Sequence, residues 1–96
     1  MSDIEFLSVS FEFEGGNYYS LIRKKRKGNV IQYCITIMNG ELERLLYGNH
    51  IITEIDGMLQ LEKVVEDPRR AALKQAVTKA LQRYLHVAKE TQNMSL

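Results

Sequence analysis

LSVSFEFEGGNYYSLIRKKRKGNVIQYCITI, residues 7–37, is the stretch whose reading decides the fold. Leu7, Val9, Phe11 and Phe13 alternate with Ser8, Ser10, Glu12 and Glu14. A period of two is the mark of a half-buried strand. Gly15-Gly16 offers the positive φ values of a tight hairpin turn, and Gly28-Asn29 is a second turn of the same kind. The stretch therefore predicts three antiparallel strands, with the second over Asn17–Lys27 and the third over Val30–Met38.

Two-residue loops at both turns set the register and sort the side chains into two faces. One face takes Leu7, Val9, Phe11 and Phe13, then Tyr18, Ser20 and Ile22, then Ile31, Tyr33, Ile35 and Ile37. Lys24 and Arg26 stand at its margin, where their aliphatic stems cover Tyr33 and Ile31. The opposite face carries Tyr19, Leu21, Arg23, Lys25 and Lys27, with Gln32, Cys34 and Thr36 beside them. With these loops Glu12 stands across from Tyr19 and Ser8 across from Arg23, so cross-strand pairing would partly neutralise the cations.

Beyond the meander, Asn39-Gly40 ends the third strand and ELERLLY (41–47) places Leu42, Leu45 and Leu46 on one side of a short helix. A strand continuing from the Asn-Gly turn is the competing reading. HIITEI, Asp56-Gly57 and MLQLEKV (58–64) form another hairpin. Ile52, Leu59 and Leu61 share one face, while Ile51, Ile55 and Met58 fall on the other and need a cover, either the short helix or another subunit. Asp67 is the N-cap and Pro68 the first residue of a final helix reaching about Glu90. Its apolar stripe is Leu73, Ala76, Val77, Ala80, Leu81, Tyr84, Val87 and Ala88, opposite Gln75, Lys79, Gln82, Arg83 and His86. The expected fold is α+β: an antiparallel meander of about five strands with a long amphipathic C-terminal helix on the Phe11/Phe13/Ile35 face.

Residues 1–96 form a single domain with frayed ends at 1–3 and 91–96. Thirteen basic and 12 acidic residues give a net charge of +1, so global basicity carries no argument and only local segregation does. A lone cysteine, Cys34, excludes an internal disulfide and a multi-thiolate metal site. An acidic, alternating N-terminus is unlike a signal peptide, and no apolar run approaches the roughly 20 residues of a membrane helix. A cytoplasmic location is expected.

Catalytic chemistry finds little support. His50 and His86 are isolated, and Cys34 sits in mid-strand with no predictable histidine partner. The acid pairs Glu12/Glu14 and Glu41/Glu43 suit a wet surface or a helix N-terminus. No phosphate loop, metal cluster or cofactor motif is present in the sequence. We expect no enzyme, no cofactor and no metal.

RKKRK (23–27) remains. Alternation sends Arg23, Lys25 and Lys27 to the wet face beside Tyr19 and Leu21, where a base could stack next to cations that meet phosphates. The same charges on an exposed strand also keep a meander soluble and discourage edge pairing. Tyr18-Tyr19, Ile22-Arg23 and Lys27-Gly28 together resemble the strand-turn signature of PUR-repeat domains, which belong with the whirly-type folds. The match covers about eleven positions of 96. Residues 41–64 exceed a single repeat of that family, and the acid it places soon after the third strand is displaced to Glu41. The resemblance implies binding of single-stranded DNA or RNA on the sheet, commonly by homodimers, through Tyr19, Arg23 and Lys27. Lys25 joins them by register. The expected protein is thus a small binding module with Tyr19, Arg23, Lys25 and Lys27 as its nucleic-acid site. The alternative is a homodimeric protein-interaction domain.

Overall fold

The computed structural model describes residues 4–48, 50–60 and 67–94, with side chains described as far as residue 87 of the last helix. The chain runs β1 (Ile4–Phe13), β2 (Gly16–Lys27), β3 (Val30–Ile37), α1 (Gly40–Leu45), β4 (Ile51–Ile55), β5 (Met58–Leu59) and α2 (Pro68–Met94). The five strands form one antiparallel sheet in sequence order, β1-β2-β3-β4-β5. This is the expected α+β meander. Residues 61–64, expected to continue β5, lie outside the described residues.

The first hairpin turns one residue earlier than expected. Phe13 pairs with Gly16, so the loop is Glu14-Gly15, with φ of 49° and 80°. Both residues occupy the left-handed region that a two-residue hairpin requires. Gly16 serves a different need. A Cβ there would meet the Tyr18 hydroxyl at 2.8 Å and its ring at 3.0 Å. The bare backbone lets that ring lie back and pack on Phe11, directly across the strands, with centroids 5.8 Å apart. Moving the loop by one residue shifts the pairing by two, which leaves every side chain on its expected face.

The inner face is dry. Leu7, Val9, Phe11, Phe13, Ile22, Ile31, Tyr33, Ile35, Ile37 and Ile52 are buried together with Leu73, Val77 and Leu81 of α2. The α2 stripe departs from expectation at its far end. Tyr84 and Val87 are exposed, and Leu85 packs against the core instead. The contact line 73-77-81-85 follows one i+4 ridge of the helix, as happens when a helix crosses a sheet at an angle. Ala88 lies outside the described side chains. Asp67 caps the helix as expected, its carboxylate accepting from the Arg69 N–H at 2.8 Å.

The segment after β3 is helical. Asn39 caps α1, its side chain accepting from the Leu42 N–H at 3.1 Å. Leu42 and Leu46 enter the inner core, so α1 closes one end of the dry face and leaves Ile51, Ile55 and Met58 uncovered. Glu43 is more than a helix-start acid: it accepts from the Ile37 N–H at 2.9 Å, and its other oxygen lies 3.0 Å from His50 Nε2, at ion-pair distance. Glu14 likewise is no free surface acid. It holds Arg69 of α2 in a two-point pair with both contacts at 2.9 Å, and the guanidinium also lies 6.0 Å from the Phe13 ring centroid. That bridge fastens the hairpin to the start of the helix.

Two buried hydroxyls are satisfied locally. Ser20 donates to the Val9 carbonyl at 2.8 Å, and Thr78 donates back to the Lys74 carbonyl at 2.7 Å. Tyr33, the largest fully buried side chain, donates its phenol to Glu54 at 3.0 Å. Burial, then the hydrogen bond to Glu54, push its ionisation well above the ordinary value of 10.0.

Candidate nucleic-acid interface

The outer face of the sheet gathers the residues singled out in the sequence. Tyr19, Arg23, Lys25 and Lys27 all lie outward on β2, and all four are exposed. Two-residue spacing repeats the side chains about every 7 Å along the strand. The four fall in one column.

The strand pairings then define rows across this face. Tyr19 lies between Ser10 and Met38, and Leu21 lies between Ser8 and Thr36. Arg23 has Phe6 on one side and Cys34 on the other, with Ile51 beyond. Lys25 lies between Ile4 and Gln32, and Lys27 leads through Val30 to Ile55 and Met58. The cationic column is therefore flanked by apolar side chains. Phe6 and Tyr19 are 66% and 64% exposed, enough to offer a ring face to a ligand.

This register differs from the expected one in a way that matters for charge. Glu12 pairs with Asn17, not Tyr19, and Arg23 faces Phe6, not Ser8. Asn17 is six residues from Arg23, about 20 Å along the strand. Glu14, further on, is engaged with Arg69, which holds its carboxyl below the usual value of 4.5. The outward acids of β1 and β2 thus stand at one end of the face and the cations at the other, while Asp56, which accepts from the Asn29 side chain at 3.2 Å, lies in the turn beyond Lys27. Phe6 was missed in the sequence, although the alternation through Ile4, Phe6 and Ser8 would have found it.

The outer face divides into two halves. On β1 and β2 it is aromatic and cationic. On β3, β4 and β5 the outward residues are Val30, Gln32, Cys34, Thr36, Ile51, Thr53, Ile55 and Met58, none of them charged. Cys34 and His50 come close in sequence register but project to opposite faces, so the geometry makes no thiol–imidazole pair. Among the described residues no three His, Cys, Asp or Glu side chains converge as a metal site would require. Nor is any described helix long and apolar enough to cross a membrane.

A second polar assembly was not foreseen. Glu5, Lys24, Arg26, Glu54 and the Tyr33 hydroxyl ring the open end of the inner face, in a hollow of about 790 Å³ completed by Tyr84, Leu85 and His86. Lys24 and Arg26 stand across from Tyr33 and Ile31, at the margin where alternation put them. Acids and bases are mixed there, so the hollow has no single sign of charge to select a ligand.

No protein-family model, curated protein or solved structure matches this chain.

Proposed function

We propose that the chain is a non-enzymatic binding module whose outer sheet face, on β1 and β2, takes single-stranded nucleic acid. The observation that carries this reading is the pairing of Phe6 with Arg23 beside Lys25 and Lys27, with Glu12, the nearest outward acid of β1 and β2, about 20 Å along the strand from Arg23. Exposed rings offer stacking that is tolerant of base identity, at about 1–3 kcal/mol per base, while the cations neutralise phosphates. Tyr19, Arg23, Lys25 and Lys27 form the site, and Phe6 joins them. The resemblance to PUR-repeat domains points the same way.

The test is retention of a labelled single strand of about 20 nucleotides at low salt. Three phosphate contacts on a single strand give a log–log salt slope of about −2. Replacing Arg23 and Lys25 by Glu together abolishes retention and leaves the circular dichroism spectrum unchanged. A strand that is not retained at low salt removes the reading.

A second reading, self-association, is favoured by a separate observation. Ile51, Ile55 and Met58 remain exposed beside Cys34 on an uncharged half-face, an apolar cluster of the kind that marks protein contacts. A two-fold dimer through that half buries it and keeps the cationic column free. Light scattering then reports about twice the chain mass of 11.1 kDa, and a monomer at high concentration contradicts it.

A further inference from the structure

The open edge of β1 carries a separate inference. β1 ends the sheet, and two hydrogen bonds show which of its backbone groups are spent. The Met38 N–H donates to the Tyr19 carbonyl, so the backbone of Tyr19 faces β3 and that of Ser20 faces β1. Ser20 pairs with Val9, and its hydroxyl also reaches the Val9 carbonyl. Leu7, Val9 and Phe11 therefore bond to β2, while Phe6, Ser8 and Ser10 aim their N–H and C=O groups at the open side. Among the described residues no further backbone hydrogen bond reaches them. Glu5 and Glu12 lie toward the two ends of the strand, and between them, over residues 6–11, the usual protections of an edge are missing. The strand is ten residues long, pairs without a bulge, and contains neither lysine nor proline.

Beside that edge lies a trough between β1 and α2. It consists of two adjoining hollows of about 550 and 650 Å³ that share Ser10, Ala80 and Arg83. Both fall within the roughly 300–1,000 Å³ typical of ligand sites. The helix wall has short side chains at Ala72, Ala76 and Ala80, which leave room for another backbone, and two cations at Lys79 and Arg83; the strand wall adds one acid, Glu12, at the far end of the first hollow, so the trough is positive on balance. Neither cation has an ion-pair partner among the described residues. Strand edge, clearance and positive charge converge on one kind of occupant.

We propose that this trough binds an extended, acidic segment of a partner protein as a sixth strand, paired to Phe6, Ser8 and Ser10 of β1. Main-chain hydrogen bonds to the edge supply affinity, and carboxylates facing α2 meet Lys79 and Arg83. A second copy of this chain fits less well. A two-fold axis through Ser8 or Ser10 would bring the Arg83 or Lys79 side chains of the two copies together, like charge against like. The trough is independent of the nucleic-acid reading, because it uses the edge of the sheet and not its outer face.

The test uses the full chain and blocked ten-residue peptides that alternate threonine with glutamate, glutamine or lysine, read by amide hydrogen exchange. The glutamate peptide slows exchange at Phe6, Ser8 and Ser10 at least tenfold. The glutamine peptide binds about tenfold more weakly, and the lysine peptide does not bind. Ser8→Pro removes an edge donor without touching the β1–β2 ladder and abolishes the protection. If that variant does not fold, the double variant Lys79→Glu, Arg83→Glu decides instead, by reversing the preference toward the lysine peptide. Replacing Arg23 and Lys25 changes none of this, so failure here and failure of the nucleic-acid reading are separable. The proposal is overturned if no peptide protects the edge amides, or if all three protect them equally. Protection that grows with protein concentration alone also overturns it, in favour of pairing between copies.

Discussion

The two faces of this sheet are built from one alternating sequence and meet opposite fates. On the inner face Ile22, Tyr33, Ile35 and Ile52 are no more than 2% exposed, sealed under α2 and α1. One residue along, on the outer face, Leu21 is 43% exposed and Ile51 42%. Both faces carry large apolar side chains, yet only one is covered by helices. What separates them is the column Arg23, Lys25 and Lys27, whose charges would be costly to seal in a dry interface without partners.

Mutations can break or sharpen that contrast. The largest effect is expected in the core. Ile22→Ala or Leu81→Ala should cost about 2–5 kcal/mol in urea denaturation, as truncation of a fully buried aliphatic does. Leu21→Ala, one position away, should stay within about 0.5 kcal/mol. Equal losses at Ile22 and Leu21 would mean that the outer face is covered too.

Tyr33 probes the open end of the dry face. Tyr33→Phe removes the hydrogen bond to Glu54 and should cost about 0.5–1.5 kcal/mol at neutral pH. Its folded ionisation lies above the unfolded value of 10.0, so its contribution is complete below pH 10 and fades as the pH rises beyond it. The wild type should therefore lose stability on the alkaline side more steeply than Tyr33→Phe. Parallel alkaline limbs in the two proteins would remove the assignment.

The smallest effect belongs to the bridge between hairpin and helix. Glu14 ionises below 4.5 because Arg69 donates to it, so the bridge stabilises above that pH and is lost as acid protonates the carboxyl. Arg69→Ala should remove a small acid-sensitive increment, measurable as convergence of wild-type and variant melting temperatures below pH 4.5. A difference that persists in acid would mean that Arg69 works through its contact with Phe13 alone.

Much of this was readable from alternation. The inner faces of β1, β2 and β3 follow directly from period-two patterning, and they survive an error in the turn because hairpin registers shift by twos. The error itself was not avoidable from composition. Gly15 and Gly16 look alike on paper, and only the Tyr18 ring lying over Gly16 distinguishes clearance from turn. The end of α2 was misread for a similar reason: Tyr84 and Val87 have helical spacing, but the angle of crossing selects Leu85. Charge on the outer face was the least legible part. A two-residue slip exchanged Ser8 for Phe6 opposite Arg23 and moved Glu12 away, turning a half-neutralised patch into an aromatic and cationic one. The free edge of β1 left no trace in the sequence, because which strand ends a sheet is decided by topology.

The most direct measurement is a salt titration of a labelled single strand against the wild type and the variant carrying Glu at positions 23 and 25. The account expects the wild type to bind at low salt with a slope of about −2 and the variant to stay unbound with its fold intact. Identical behaviour of the two proteins, whether both bind or neither does, would contradict it.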